Sequence, residues 1–338
     1  MFSSHPDITV FNILQCQESS EGIEIDEYSR VNIHIKAITE TNRSYDMVGV
    51  GRAAKTHLQA LDEMIDESKV NLLVSCLGND FSSAILPQIS KISSEKGIHT
   101  IGLLTFPHPD EGFNQTHKAQ HAIKNSVHKM DAYIQIPILN VYELLSGRVA
   151  LQEITDKIAE LITQVARAVV FGMIAKGFHL HRENEEFIDF FRNAGQILTS
   201  WKEIDYTPED MYRSVLECIK EPVHRFEQFD RATHLMVSVC LGNCGLEIEN
   251  YLKIGQCIRN EMGPETNILV KPYSSDIRGE YPFIVTFAKE FMRNRSERFD
   301  YPVTEDMGNH SPSQLSALYR KKHATSKGGT YHHDVSDF

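Results

Sequence analysis

The chain has 338 residues, which is long enough for two domains. Of these residues 41% are hydrophobic and 24% are charged, a composition typical of a soluble globular protein. Its net charge of −12 at pH 7 argues against nonspecific nucleic-acid binding, which needs clustered lysine and arginine. The longest apolar run, 168–175, is far shorter than the about 20 residues of a membrane helix, and the N-terminus lacks the pattern of a signal peptide. The sequence therefore predicts a cytoplasmic protein with no membrane span.

The first part of the chain alternates predicted strands and helices. Strands are expected at 8–14, about 31–39, 70–77, 99–105 and 132–137, and helices at 53–67, 82–96 and 113–129. This alternation is typical of a mostly parallel sheet covered by helices on both faces. Ligands of such sheets bind beyond the carboxyl ends of the strands.

One long helix is predicted over 151–178. From residue 168 it is apolar nearly all round, which is typical of a helix buried between two domains. The pattern after about 184 predicts a second, smaller α/β unit, with a short helix, strand 195–204, helix 208–220, strand 233–241, helix 246–262 and strands 267–272 and 282–289.

The chain has six cysteines and no Cys-x-x-Cys pair, so neither a zinc site nor a disulfide framework is expected. Cys76 and Cys240 end strongly apolar runs and are predicted to be buried. Both stand in the tetrapeptide Cys-Leu-Gly-Asn, but strand-turn-helix units often look alike, so no repeat is inferred.

Several strings have an order and spacing that resemble the FtsZ/tubulin superfamily. Gly51 and Arg52 open a helix in the manner of a nucleotide-side loop of that family. The segment 97–112 is similar to a family strand and the loop after it, and 130–137 is similar to the next strand. The segment 184–189 resembles the acidic loop that follows the core helix of the family.

The resemblance implies a particular fold and domain order. The fold class is α/β and tubulin/FtsZ-like, with a Rossmann-like nucleotide domain, a long central helix and a smaller C-terminal α/β domain. The implied boundaries are a degenerate GTPase-like domain at 1–150, the core helix at 151–183, the C-terminal domain at 184–300 and a disordered tail at 301–338.

The run 78–84 matches the glycine-rich phosphate loop of the family. Glycines allow backbone N–H groups to approach phosphates, and the following helix adds partial positive charge. The candidate phosphate-binding residues are Gly78, Asn79, Asp80, Ser82 and Ser83. Phe81 adds bulk and Asp80 adds negative charge, which a bound Mg²⁺ would offset. The alternative is a plain strand-to-helix turn with Asp80 or Ser82 as the helix cap.

Other nucleotide contacts implied by the resemblance are altered as well. Candidates are Gly51, Arg52, Glu111, Thr163 and Gln164. The pair Thr163 and Gln164 stands where the family offers Asn-Asp to guanine, and Gln164 cannot accept two guanine N–H groups as a carboxylate does. Gln115 replaces a family arginine, and 14–21 lacks the first glycine-rich loop of the family. The implied cofactors are GTP or GDP with Mg²⁺, or no nucleotide at all.

The acidic segment carries the candidate catalytic residues, which are Asn184, Glu186 and Asp189. Glu186 and Asp189 are three residues apart and share a helix face, from which carboxylates can orient water toward a phosphate of the next protomer. The alternative is a helix capped by Asn184 with acids in its first turn. Hydrolysis is expected to be weak or lost, because the phosphate loop is so altered.

Three functions remain open from the sequence. The first is a divergent FtsZ/tubulin-like cytoskeletal protein that binds a GTP-type nucleotide between protomers and forms head-to-tail homopolymers. The second is a nucleotide-free pseudo-GTPase that acts as a scaffold or as a regulator of a true FtsZ filament. The third is an unrelated enzyme on a doubly wound sheet. The predicted tail offers a second kind of partner, namely another protein that would bind the segment 315–322 as a short helix.

Overall fold

The computed structural model describes residues 12–13, 30–31, 62, 65, 70–108, 111–138, 141, 151–174, 182–204, 208–220, 232–241, 248–273 and 282–291. Gly51, Arg52 and the predicted tail at 301–338 lie outside these residues, as does most of the predicted helix at 53–67. Of the two N-terminal strands, Asn12–Ile13 (β1) and Arg30–Val31 (β2) are described, and they form a parallel pair.

The other described strands form one sheet with seven members. They are Val70–Cys76 (β3), His99–Phe106 (β4), Ala132–Pro137 (β5), Gly195–Glu203 (β6), Ala232–Cys240 (β7), Asn267–Tyr273 (β8) and Phe283–Phe291 (β9). The described helices are Asp80–Glu95 (α1), Phe113–Ser126 (α2), Leu151–Ile174 (α3), Arg182–Phe191 (α4), Pro208–Lys220 (α5) and Ile248–Met262 (α6), and a 3₁₀ turn, Val127–Lys129, follows α2.

The strand order across this sheet is β3-β4-β5-β6-β9-β7-β8. Neighbours from β3 to β6 pair in parallel, and so do β7 and β8, whereas β9 is antiparallel to both β6 and β7. Six of the seven strands therefore point the same way. The predicted mixed α/β fold with a mainly parallel sheet is confirmed.

Strand β6 joins the two halves of the sheet. Its first residues pair with β5, where Gly195 is opposite Ala132, and the rest of β6 pairs with β9, where Glu203 is opposite Phe283. Backbone pairing is thus continuous across the domain boundary predicted near residue 184, and the division into separate domains stays a prediction.

Alternating side chains send the two faces of the sheet into different cores. In β4, Ile101 and Leu103 are fully buried against α3, whereas Leu104 and Phe106 pack in the cluster under α1 and α2. A third cluster lies between α5, α6 and the second half of the sheet. Helix α3 is buried over 165–169, but Val170, Phe171 and Met173 are half-buried, so the predicted burial on every side from residue 168 is confirmed only in part.

Among the described residues, no helix combines the length and the apolar character that crossing a membrane requires.

The prediction that Cys76 is buried is wrong, whereas the same prediction for Cys240 is confirmed. In the described sheet β3 is an edge strand, and Val74, on the same face as Cys76, is 51% exposed. Both cysteines end apolar runs, but only Cys240 is buried, because it belongs to the inner strand β7.

Alkylation of the native protein is expected to modify Cys76 and to spare Cys218 and Cys240. Cys76 is exposed, whereas burial raises the pKa of the Cys218 thiol to about 12 and leaves about one thiolate in 10⁴ at pH 8. Iodoacetamide labelling followed by peptide mass spectrometry measures this, with the urea-unfolded protein as the control that labels all three. Native labelling of Cys218 as fast as that of Cys76 would contradict the burial.

Candidate functional site

The turn after β3 begins with a glycine that no other residue can replace without strain. Leu77 extends the β3–β4 ladder by donating its N–H to the carbonyl oxygen of Thr105 at 3.1 Å. Gly78 then takes a φ of +109°, and a Cβ there would lie 3.2 Å from Cγ of Pro107 and 3.5 Å from Cβ of Gln115. The one glycine kept from the predicted phosphate loop therefore has a structural cause, which is close packing beneath Pro107.

Asn79 caps helix α1. Its Oδ1 accepts from the backbone N–H of Ser82 at 2.8 Å, and its Nδ2 donates to the carbonyl oxygen of Cys76 at 3.2 Å. The expectation that Asp80 or Ser82 caps the helix is wrong, because Asp80 is already its first helical residue. Asparagine suits this position because its side chain satisfies an N–H group of the first turn.

The two serines of the turn are held by the turn itself. The Ser82 hydroxyl lies within hydrogen-bonding distance of the Cys76 carbonyl oxygen and of Oδ1 of Asn79. Ser83 is fully buried, and its Oγ accepts from the N–H of Gly78 at 3.1 Å. A ligand at this turn would therefore meet a preformed surface, in which Ser83 supports the backbone.

The negative charge of Asp80 is balanced within the structure. Nζ of Lys118, on α2, lies 2.8 Å from Oδ1 of Asp80, and the two side chains are only 29% and 19% exposed. The sequence analysis missed Lys118. The available signal was its spacing, because Lys118 is three residues after Gln115 and so shares a helix face with it.

Glu111 lies in the loop that approaches this turn. Its Oε1 accepts from the N–H of His108 at 3.0 Å, and its own N–H donates to the His108 carbonyl oxygen at 3.0 Å. Because Pro107 of the same loop is the neighbour of Gly78, the structure brings Glu111 to the same edge of the sheet as residues 78–83.

The two candidates for base recognition are bonded within α3. Thr163 Oγ1 donates to the carbonyl oxygen of Ala159 at 2.7 Å, and Oε1 of Gln164 accepts from Nη1 of Arg167 at 3.1 Å. Arg167 is 2% exposed, with its guanidinium 5.1 Å from the ring centroid of Phe283, and burial lowers the pKa of the guanidinium. Among the described hydrogen bonds, none joins Thr163 or Gln164 to residues 78–83.

Helix α4 presents acids on one side and aromatic rings on the other. Glu186 and Asp189 are exposed, while Phe187, Phe190 and Phe191 are buried. The helix begins at Arg182, so Asn184 lies inside its first turn and is not the cap that the simpler interpretation required. The carboxylates therefore face away from the core and toward solvent, so another molecule can reach them.

The two candidate segments are connected to opposite ends of the parallel strands. Residues 78–83 follow the carboxyl end of β3, whereas α4 ends just before β6. Gly195, the first residue of β6, donates its N–H to the carbonyl oxygen of Asp131 ahead of β5 at 2.9 Å. Because β3 to β6 are parallel, the turn lies beyond the carboxyl end of β3, whereas the segment that joins α4 to β6 lies at the amino end of the strands.

A metal site built from protein side chains alone was not expected, and the described residues contain no cluster of three or more His, Cys, Asp or Glu side chains that could hold an ion.

Sequence comparison relates the chain to bacterial cell-division proteins. No protein-family model matches it. It is 24% identical over 144 residues to the cell division protein FtsZ of Bartonella bacilliformis and 21% identical over 237 residues to FtsZ 1 of Rhizobium meliloti. The matches include 42% and 69% of this chain but only 24% and 39% of the length of those curated relatives.

Solved structures share the fold over most of the chain. An empty FtsZ dimer from M. jannaschii superposes with a TM-score of 0.66 at 15% identity, covering 78% of this chain and 75% of that one. CetZ2 from Haloferax volcanii, in a GTPγS-bound protofilament, gives 0.59 at 15% identity and covers 90% and 86%. At this identity the likeness shows the fold, and the predicted FtsZ/tubulin-like architecture is confirmed.

Proposed function

We propose that this chain, which has the fold of the FtsZ/tubulin superfamily, assembles head to tail into filaments with a guanine nucleotide between successive protomers. The observation that carries the proposal is the chain topology, in which the turn 78–83 follows the carboxyl end of β3, whereas the exposed acids Glu186 and Asp189 belong to the helix that precedes the amino end of β6. Stacking two copies in the same orientation would bring one end against the other. The GTPγS-bound protofilament of CetZ2, which has the same fold, supports this arrangement.

Within such an interface each segment would have a distinct task. Gly78 and the N-terminus of α1 would lie beside the phosphates, because a helix N-terminus carries partial positive charge and N–H donors. Glu186 and Asp189 of the neighbouring protomer would orient a water molecule toward the terminal phosphate. Their exposure supports this role, since an acid acting on another molecule must be reachable from outside its own chain.

Sedimentation and negative-stain electron microscopy with GTP, GDP, ATP or no nucleotide test the proposal. The expected result is filaments that pellet with GTP and are reduced with ATP or without nucleotide. Sedimentation that is the same under all four conditions would favour the nucleotide-free scaffold, and failure to pellet or form filaments under any of them would refute self-assembly. The cytoplasmic location and a partner docked on the tail stay predictions.

Neutralising the two acids is expected to lower phosphate release from GTP filaments by at least about tenfold, because positioned acid–base groups contribute at least that much to such reactions. The change is Glu186→Gln together with Asp189→Asn, and phosphate release is measured at equal polymer mass. Folding should be unchanged, since both side chains are exposed and the Asp189–Arg192 ion pair is at the surface.

The matched control is Glu185→Gln, which removes an exposed negative charge from the same helix at a position to which the predicted motif assigns no role. It should leave phosphate release unchanged. Equal loss in the control and the double variant would assign the effect to the net charge of α4 and would remove the catalytic role of Glu186 and Asp189.

A further inference from the structure

We propose that Lys118 is the phosphate-binding cation of the turn at 78–83, and that it allows this turn to accept a phosphate in spite of Asp80. This inference rests on the proposed function, because it concerns the nucleotide at that site. It adds a residue to which the sequence patterns assigned no role.

The first argument is position. Lys118 Nζ lies 2.8 Å from Oδ1 of Asp80, the first residue of α1. Gln115, one turn earlier on α2, lies against the turn, since its Cβ is 3.5 Å from the place of a Cβ on Gly78. The same face of α2 therefore borders both ends of the short segment that joins β3 to α1.

The second argument is charge. An isolated carboxylate at the first turn of α1 would repel a phosphate, whereas an ion pair presents no net charge. The contact with Asp80 is an ion pair without an aligned hydrogen bond, and an ammonium group has three N–H donors, so Lys118 can donate to a phosphate oxygen while it stays beside Asp80. Both side chains are largely but not fully buried, which leaves the pair accessible while water screens it less than at an open surface.

The third argument is that the fold does not depend on the ion pair. Helices α1 and α2 already pack through an apolar cluster that includes Leu86, Ala119 and Ala122, each at most 3% exposed. Because this cluster is apolar and buried, the packing of α1 on α2 does not rest on the ion pair alone. A role in ligand binding explains better than a role in stability why a lysine lies beside the first residue of α1.

Isothermal titration of the full chain with GTP, GDP and guanosine tests the inference. Lys118→Met is expected to weaken GTP binding at least about tenfold, the effect of losing one charge-assisted hydrogen bond, and to leave guanosine binding unchanged. Lys118→Arg should keep the affinity within about threefold, because it preserves the charge. Asp80→Asn combined with Lys118→Met should recover part of the loss, because it removes the uncompensated carboxylate.

Lys124→Met is the matched control, since Lys124 is an exposed lysine in the last turn of α2. It should bind GTP as the unmodified chain does. GTP binding that is unaffected in Lys118→Met, or guanosine binding reduced as much as GTP binding, would overturn the role of Lys118 and leave the proposed function standing. Failure of the unmodified chain to bind GTP or GDP would instead refute nucleotide binding, and the inference with it.

Discussion

Replacing Gly172 with alanine is expected to lower the free energy of unfolding by about 3 kcal/mol, the upper part of the range for overpacking a core. A Cβ at this position would lie 2.1 Å from Cζ and 2.3 Å from Cε2 of Phe187, and Phe187 is fully buried. Because the ring is packed in the core, the added methyl group must displace either the ring or helix α4 as a whole. Urea unfolding, followed by fluorescence or circular dichroism, measures the effect.

The control is Gly255→Ala in α6, where an added Cβ would meet no atom within 4 Å. There the substitution should stabilise the protein by about 0.4–1 kcal/mol, because alanine loses less backbone entropy on folding. Combining Gly172→Ala with Phe187→Leu should cost less than the sum of the two single changes, because leucine relieves the clash. Equal and small effects at 172 and 255 would contradict the close contact of α3 and α4.

Replacing Phe191 with alanine is expected to cost about 3–5 kcal/mol, as for other fully buried aromatic side chains. Its ring is 5.5 Å from that of Phe187, 5.4 Å from that of Phe190 and 5.5 Å from that of Phe287 on β9. This cluster seats α4 on the sheet. Its loss should therefore also abolish filament formation, because Glu186 and Asp189 are carried by the same helix.

Phe113→Ala is the comparison for this variant. Phe113 is 43% exposed and stacks on the exposed His117, so its loss should change the free energy of unfolding by less than about 1 kcal/mol. Both free energies come from urea titrations under the same conditions. A loss at Phe191 as small as that at Phe113 would show that α4 is held by other contacts.

Periodicity along the chain was sufficient to predict most described elements. The helix predicted at 208–220 is Pro208–Lys220, and the long helix predicted from 151 is Leu151–Ile174 as far as the structure describes it. These two predictions are confirmed because apolar spacing and end signals such as an initial proline are local properties of the sequence.

The site was predicted less completely, because its groups come from distant parts of the chain. Gly78 was identified, and its φ of +109° gives the reason for a glycine there. Asn79 is predicted as a phosphate ligand, and the structure shows that its side chain caps α1, so its contact with a phosphate stays a prediction. Lys118 was not identified, since its partner Asp80 is 38 positions away and only the packing of α2 on α1 brings them together.

Local spacing of apolar residues by itself determined which segments of this protein are strands and which are helices, and their alternation determined that the sheet is mainly parallel. Packing between remote segments decided the rest, namely the continuity of the sheet through β6, the exposure of Cys76 at an edge strand and the ion pair that neutralises Asp80. The physical reason is that hydrogen bonding and periodicity within an element act between near neighbours in the chain, whereas burial and charge depend on what lies next to a residue in space.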